Sequence, residues 1–264
     1  MILAAHQPHY LPWLGYLDKL RRADKFLVVD TVQFERKNYQ NRGRIPSPTP
    51  EGWTWLTVPV VQDSREELIL DKAVSNERGW QRKHAKALEL LYRGAPYFHL
   101  YGPALKDIIT SPWTKLVDLD LAILKFILAA YEIKTPVTRT SEMEPIPGLK
   151  SDFVLNMCKT VGATVYLSGE GGCRDYLDIA AFRAGGVEVQ WQGFKHPDYV
   201  RNGGSKVPNG VTSLDLLFHC GPKAKVVLAG GGVDGLFAGL ASVPPLPALP
   251  PQAPPSSPDI RPTA

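Results

Sequence analysis

Residues 1–30 constrain the fold more than any other segment of the chain. They begin with the apolar run ILAA, which is typical of a short strand, and continue with HQPHYLP, where Pro8 and Pro12 prevent a helix from starting before about residue 12. LGYLDKL then repeats leucine at helical spacing, and KFLVVD is again a strand pattern. A strand, a helix and a second strand in succession predict a right-handed crossover and therefore a parallel sheet.

The same alternation continues along the chain. WTWLTVPVV has the pattern of a strand. Helical patterns occupy residues 76–95, 114–133 and 151–163. Ser151 or Asp152 is the predicted cap of the last of these helices. Residues 164–194 then repeat the pattern of a strand, a glycine-rich turn, a helix and a strand. Ser213 is the predicted cap of a final helix. The pattern predicts an α/β fold: a Rossmann-like layered domain over residues 1–221 with a mainly parallel sheet and inserted helices.

The C-terminal segment has a different composition. Nine of the 24 prolines follow residue 243, in a composition that favours extended polyproline conformation over a packed core. We therefore predict a disordered tail over residues 243–264, preceded by a Gly- and Val-rich extension over residues 222–242. The catalytic or binding site is expected in residues 1–221.

Composition excludes several classes of protein. The 264 residues are 44% hydrophobic, which is enough to bury a sizeable core. No apolar run reaches the roughly 20 residues that span a bilayer, and no signal-peptide pattern begins the chain, so we expect a cytoplasmic protein without membrane insertion. Cys158, Cys173 and Cys220 form no CxxC pair, which argues against a disulfide framework or a thiolate zinc site. No HExxH motif occurs, no metal is predicted, and the sequence names no cofactor.

Basic residues cluster in two segments of the chain. The net charge is +4, and FERKNYQNRGRI and NERGWQRKH contain many of the cations. Such clusters attract anions, and charge alone is compatible with a nucleic-acid surface. A phosphate-bearing small molecule needs only a few of these groups, so we favour a small-molecule substrate.

The loop after the first predicted strand contains the most informative candidates for a site. His6, Gln7, His9 and Tyr10 lie there within five consecutive residues. In an open parallel sheet, ligands bind beyond the carboxyl ends of the strands, beside the unpaired amides of the following helix. Asp30 ends the second strand pattern, and its carboxylate would either orient the His6 ring or cap a turn.

A family resemblance adds to this interpretation. Seven segments occur in a fixed order along the chain: HQPHYLPWLGYLDKL, VQFERKNYQNRGRI, WLTVPV, APYF, YLSGEGGCRDYLD, FKHPDY and SLDLLFHCG. In this combination the chain resembles the WbqC-like family of bacterial proteins, from residue 1 to about residue 221. The resemblance implies surface-glycan or secondary-metabolite biosynthesis, with transfer of glycine or another aminoacyl or acyl group to an amino sugar, a sugar nucleotide or a related amine. A thioester on an acyl carrier, an aminoacyl-tRNA or an adenylate would supply the acyl group.

Acyl transfer to an amine needs a base and hydrogen-bond donors for the developing oxyanion. His6 is the predicted base, Gln7 and Tyr10 are predicted to orient the substrate, and Asp30 completes the predicted catalytic set. The turn that begins with Ser168 and Gly169 is expected to bind phosphate or carbonyl oxygen in the same cleft as His6. Cys173 is a candidate nucleophile beside this turn, although we favour direct transfer without a covalent enzyme intermediate.

The predicted substrate-binding residues are polar or aromatic. The polar run from residue 33 to residue 42 suits a loop that contacts a sugar or a nucleotide, with Arg42 as the preferred anion binder. Trp80 and His84 lie four residues apart on one predicted helix face. The full set consists of His9, Gln33, Asn38, Gln40, Arg42, Trp80, His84, Ser168, Gly169, Tyr176, His196, Tyr199 and Asp215.

Two other functions stay open. The N-terminal region broadly resembles the layout of nucleotidylyltransferases and adenylate-forming ligases, because it has a strand, a loop with histidine and proline, a helix and the strand pattern FLVVD. In this chain, His6 and His9 would form the histidine pair that contacts the triphosphate of ATP. Alternatively, the chain is a non-catalytic module that only binds a sugar or a nucleotide. The first alternative predicts ATP-dependent chemistry, and the second predicts binding without product.

Overall fold

A five-stranded parallel sheet forms the centre of the fold. The computed structural model describes residues 1–62, 64, 66–171, 173–201 and 207–230. The strands are β1 (Ile2–His6), β2 (Lys25–Val28), β3 (Arg42–Pro46), β4 (Trp53–Thr57), β5 (Val137–Arg139), β6 (Val165–Ser168) and β7 (Glu188–Trp191). The main sheet has the order β5-β2-β1-β6-β7, with every neighbouring pair parallel. The predicted α/β class and mainly parallel sheet are confirmed.

The direction in which strands are added reverses at β1, the middle strand. The helix α1 (Leu14–Arg22) connects β1 to β2, which places Leu3 beside Lys25 and confirms the predicted crossover. On its other side β1 pairs with β6, with Ile2 opposite Val165. The first half of the chain therefore extends the sheet in one direction and the second half in the other. The crevice between the carboxyl ends of β1 and β6 is where open α/β sheets bind ligands.

Helices cover both faces of the main sheet. They are α2 (Trp80–Tyr92), α3 (Phe98–Thr110), α4 (Leu116–Ala130), α5 (Lys150–Val161), α6 (Cys173–Tyr176), α7 (Ile179–Ala184), α8 (Leu214–Cys220) and α9 (Ala224–Leu228). Side chains of β1 alternate between the faces, so Ala4 joins the core formed with α1 to α4 and α8, whereas Leu3 and Ala5 join the core formed with α5 and α7. Burial on both faces explains why the three inner strands, β1, β2 and β6, are mostly apolar.

Some local predictions differ from the structure. Arg42, which the polar pattern assigned to a loop, begins β3 and pairs through it with β4 in an antiparallel hairpin outside the main sheet. The helix α5 begins one residue before Ser151, whose hydroxyl accepts a hydrogen bond from the Asp178 backbone N–H at 2.8 Å instead of capping α5. Neither Ser151 nor Asp152 is therefore the cap. Ser213 precedes α8 as expected, but its side chain makes no capping hydrogen bond.

The C-terminal extension begins within the folded core. Val227 and Leu228 of α9 are buried against the core formed by α1 to α4 and α8. Residues 231–264, which contain the rest of the extension and the predicted disordered tail, lie outside the described residues. Within the described part of the chain, no helix has the length and apolar character needed to cross a bilayer. Cys158 and Cys220 are buried free thiols, and the side chain of Cys173 lies outside the described structure.

Candidate functional site

A pocket of about 810 Å³ opens beyond the carboxyl ends of β1 and β6. The end of β1 and the turn after β6 both line it, so the His6 loop and the glycine turn meet in one cleft, as expected from their positions after parallel strands. Its polar side chains are His6, Gln7, Tyr16, Lys19, Lys150, Glu170, Tyr176, Gln192, His196 and Asn209, and its apolar walls include Trp13, Phe153, Val154, Met157 and Phe194. Apolar walls with a few convergent polar groups are typical of a small-molecule site.

His6 presents one defined nitrogen to a ligand. Its Nδ1 donates a hydrogen bond to the main-chain oxygen of Gln7 at 3.1 Å, which places the proton on Nδ1 and leaves Nε2 with a lone pair. Burial, and secondly the charge of Lys19, lower the pKa of His6 to about 3, although the bond to Gln7 partly opposes them. Without a ligand, His6 is therefore a neutral hydrogen-bond acceptor at physiological pH.

A second amide holds the side chain of Gln7. Gln7 Oε1 accepts a hydrogen bond from Gln40 Nε2 at 2.8 Å, and Gln40 Oε1 accepts one from the Glu35 backbone N–H at 2.9 Å. Because the oxygen of Gln7 is occupied, its Nε2 is the atom left to donate to a ligand in the pocket. Gln40 is fully buried and does not line the pocket, so it acts by positioning Gln7.

Lys19 is a pocket residue that the sequence patterns did not single out. It lies on α1, it is 4% exposed, and its Nζ donates to the main-chain oxygen of Ala5 at 2.9 Å. Tyr16, one turn earlier on the same helix, also lines the pocket, and its buried hydroxyl has no partner among the described residues. The position of Lys19 between Leu17 and Leu20, two apolar residues of α1, was the signal that could have identified it.

The turn after β6 contributes Gly169, Glu170 and Gly171 to the lining of the pocket. Gly169 and Gly171 line the pocket, and a Cβ atom added at either would meet no atom within 4 Å. Ser168 is fully buried and its hydroxyl donates to the Gly169 carbonyl at 3.2 Å, so Ser168 shapes the turn and does not line the pocket. Gly172 lies outside the described residues. Tyr176, a predicted substrate-binding residue, follows in α6 and lines the pocket.

His196 is a second imidazole in the pocket. Its Nδ1 donates to the Pro197 carbonyl at 2.9 Å, and its buried Nε2 has no hydrogen-bond partner among the described residues. Burial lowers its pKa. Tyr199 and Asp215 lie behind it: the Tyr199 hydroxyl donates to Asp215 Oδ2 at 2.8 Å, and the fully buried Asp215 also forms an ion pair with Arg201 at 3.1 Å. The structure thus brings His196 to the pocket and assigns Tyr199 and Asp215 to the core beneath it.

Tyr10 belongs to a separate buried cluster. Its side chain is fully buried, and its hydroxyl hydrogen-bonds to His84 Nδ1 at 2.8 Å. The Trp80 ring packs against the His84 ring at a centroid distance of 5.1 Å, and burial lowers the pKa of His84 to about 4. None of these three residues lines the pocket. The prediction that Tyr10 orients the substrate is therefore corrected, because its ring supports the loop from the core.

His9 lies behind His6 rather than in the pocket. Its ring is 4.5 Å from the His6 ring and is stacked on Tyr39 at 5.1 Å, measured between centroids. It is 5% exposed, and its buried Nδ1 has no hydrogen-bond partner among the described residues. Burial lowers the pKa of His9 well below its ordinary value, as do the neighbouring His6 and Lys19. The packing of His9 restricts the orientation of the His6 ring.

Other residues of the predicted polar loop also lie away from the pocket. Gln33 is exposed, and the Asn38 side-chain amide donates to Glu35 Oε2 at 2.7 Å. Arg42 lies on the β3–β4 hairpin. None of these residues lines the pocket, so the run contributes to it indirectly, through Gln40 and Gln7.

Asp30 is a structural anchor. It is fully buried, and its carboxylate accepts hydrogen bonds from Arg139 Nε at 2.7 Å, Thr140 Oγ1 at 3.0 Å and the Ser141 hydroxyl and backbone N–H at 2.7 and 3.0 Å. These groups occupy both oxygens, and the Nδ1 proton of His6 is bonded to Gln7. The structure therefore does not place Asp30 where it would orient the imidazole, and Asp30 instead connects β2 to the end of β5.

Replacing Asp30 with alanine is expected to destabilise the fold by about 3–5 kcal/mol, because it leaves Arg139 without its buried partner. The free energy of unfolding from urea titration measures this loss. The matched control is Asp118→Ala, which removes a second, 47% exposed partner of the same arginine and is expected to cost below about 1 kcal/mol. Equal losses in the two variants would show that Asp30 is not an anchor.

Comparison with known proteins finds similarity over most of the folded part of the chain. A model of the WbqC-like protein family matches residues 7–227. A relative from Mycobacterium tuberculosis (strain ATCC 25618 / H37Rv), the uncharacterised protein Rv1507c, is 31% identical over 224 residues, which cover 84% of this chain and 95% of the relative. No solved structure matches the chain significantly.

Proposed function

Because the chain belongs to the WbqC-like protein family and has a pocket with convergent polar groups at the reversal point of its sheet, we propose that it is an acyl or aminoacyl transferase. Its acceptor is the amino group of an amino sugar or a related amine, in glycan or secondary-metabolite biosynthesis. The observation that carries the proposal is that two complementary groups lie side by side in the pocket. The first is His6 Nε2, which has a lone pair because the tautomer is fixed, and the second is the side-chain amide of Gln7, whose oxygen is held by Gln40.

The residues of the pocket match the needs of amide formation. The amine nitrogen attacks the acyl carbonyl carbon, a C–N bond forms, and the leaving group departs with the electron pair of its bond to carbon. His6 Nε2 accepts the proton that the nitrogen loses and returns it to the leaving group. Gln7 Nε2 and the backbone amides of the Gly169 turn are the donors proposed for the developing oxyanion.

Lys19 links the basicity of His6 to the presence of substrate. In the empty pocket, burial and the charge of Lys19 keep the pKa of His6 near 3, which is low for a general base. A carboxylate or phosphate bound beside Lys19 would offset that charge and raise the pKa of His6. The proposed substrate or donor therefore has an anionic group next to the reacting centre.

A second candidate is an ATP-dependent nucleotidyl transfer or adenylate-forming reaction. Two observations favour it: the strand order β5-β2-β1-β6-β7 matches the doubly wound order found in nucleotide-binding folds, and the His6 and His9 rings are in contact at 4.5 Å. Burial of His9 away from the pocket argues against a direct role of both rings on the phosphates.

Mass spectrometry of the full chain incubated with amino sugars, sugar nucleotides, acyl thioesters and aminoacyl-tRNA tests the proposal. A new amide whose formation requires the protein supports acyl transfer. In a parallel incubation with ATP, magnesium and a free carboxylic acid or sugar phosphate as acceptor, His6-dependent release of pyrophosphate together with the matching adenylate or nucleotidyl product supports the second candidate instead. Retained ligand with neither product across the panel would favour a binding module and contradict both enzymatic functions.

A further inference from the structure

The β3–β4 hairpin presents alternating arginine and tryptophan side chains on one face. Arg44 lies opposite Trp55 in the antiparallel register, and Arg42 and Trp53 each lie two residues earlier on their strands, so all four side chains lie on the same face. The guanidinium of Arg42 lies 3.9 Å from the centroid of the Trp55 ring, and that of Arg44 lies 4.0 Å from Trp53. We call these four residues the arginine–tryptophan ladder.

The two cations of the ladder have aromatic neighbours but no counter-charge. No carboxylate of the described residues forms an ion pair with Arg42 or Arg44, and the buried Nε atoms of both have no hydrogen-bond acceptor there. Burial lowers the pKa of Arg42, the charge of Arg44 lowers it further, and Tyr39 partly opposes this. Two neighbouring half-buried cations with unused donors are what an anionic ligand would stabilise.

The ladder is physically connected to the pocket. Tyr39 packs edge-to-face on Trp55 at 5.2 Å and stacks on His9, which in turn contacts the His6 ring. On the other side, the Arg44 guanidinium approaches Gly210, where an added Cβ would lie 3.2 Å from Arg44 Nη1. Gly210 itself lines the pocket. A ligand held by Arg44 therefore lies next to a residue of the pocket lining.

We propose that the arginine–tryptophan ladder binds a nucleoside diphosphate. Arg42 and Arg44 bind the phosphate groups, and the nucleobase packs against the partly exposed rings of Trp53 and Trp55. The group that is linked to the phosphates is directed into the pocket. Arginine forks match phosphate oxygens, and aromatic rings stack on nucleobases. Two guanidiniums suffice for one diphosphate, whereas a longer nucleic-acid strand needs a basic track along many phosphates. The inference rests on the proposed function only in assigning the linked group to the reactive pocket.

Isothermal titration calorimetry with UDP and ADP tests the site directly. Wild-type protein is expected to bind at least one of them, with an affinity that falls as salt rises. Arg42→Gln and Arg44→Gln should each weaken binding roughly tenfold or more, because each removes a charge-assisted hydrogen bond. Arg42→Lys and Arg44→Lys should retain part of the affinity, and Arg82→Gln, an exposed arginine of α2, should leave binding unchanged.

Further probes separate a nucleotide from its component groups and from RNA. Pyrophosphate should bind more weakly than the better nucleoside diphosphate, and Trp53→Phe and Trp55→Phe should reduce the change in tryptophan fluorescence on nucleotide addition. The assignment would be overturned if neither diphosphate binds, if no ladder variant changes the affinity, or if pyrophosphate binds as tightly as the nucleotide. Selective binding of a CCA trinucleotide, the RNA probe, would also overturn it. These are binding readouts, so failure of the transferase proposal, which is read as missing amide product, is a distinguishable result.

Discussion

Replacing His6 with glutamine is expected to reduce the rate of amide formation by about 10²–10⁴-fold, because the variant loses the base that accepts the amine proton. Glutamine fills similar space and keeps hydrogen-bonding capacity, so the fold should be retained. The measurement is the initial rate of amide product by mass spectrometry, at a substrate concentration that saturates both proteins. Binding of the amine should change far less than the rate.

The chain provides a matched control for this variant. His99 lies exposed on α3, so His99→Gln removes an imidazole without touching the pocket and should leave the rate unchanged. A His6→Gln protein that folds, binds substrate and turns it over at the wild-type rate would exclude His6 as the base. Loss of binding with an unchanged rate at saturation would instead indicate that His6 only recognises the ligand.

Acidification is expected to destabilise the folded protein progressively below about pH 6.5. The folded pKa of His84 is about 4 and that of His6 about 3, whereas an unfolded histidine titrates near 6.5. Between these values the unfolded chain binds protons that the folded chain does not, so stability is complete above about pH 6.5 and falls as the pH approaches the folded values. His84 alone contributes a loss of about 3 kcal/mol by pH 4, and His6 adds a loss of the same order.

Urea titration at a series of pH values measures this effect. The slope of unfolding free energy against pH between about 6 and 4 should decrease in His84→Gln, because one proton fewer is taken up on unfolding. A stability that is flat from pH 7 to pH 4 would contradict the buried, neutral state of both imidazoles.

Local sequence patterns were sufficient for the core of the fold. The run before His6, the prolines at positions 8 and 12 and the leucine spacing in α1 each act within a few residues, so they predict β1, α1 and β2 correctly. The same logic placed His6, Gln7 and the Gly169 turn in one cleft, because strand ends in a parallel sheet share an edge.

Long-range pairing explains what the sequence did not predict. The partners of Asp30 come from the end of β5, more than a hundred positions away, and no local pattern indicates them. Tyr10 looks like a loop residue by sequence, but α2 supplies His84 as its buried partner. Lys19 reaches the pocket only because α1 packs beside β1 with that face turned toward the crevice. These features depend on tertiary packing, which periodicity does not encode.

The pocket lies where the two halves of the sheet meet, between β1 and β6, and this position has a consequence while the chain is being translated. One wall comes from residues translated first, and the opposite wall follows β6, late in the domain. A nascent chain stalled before β6 lacks the second wall, so a metabolite that occupies the pocket stabilises the finished domain and leaves earlier partial folds without that support. Binding in the pocket would thus stabilise only the completed domain against unfolding.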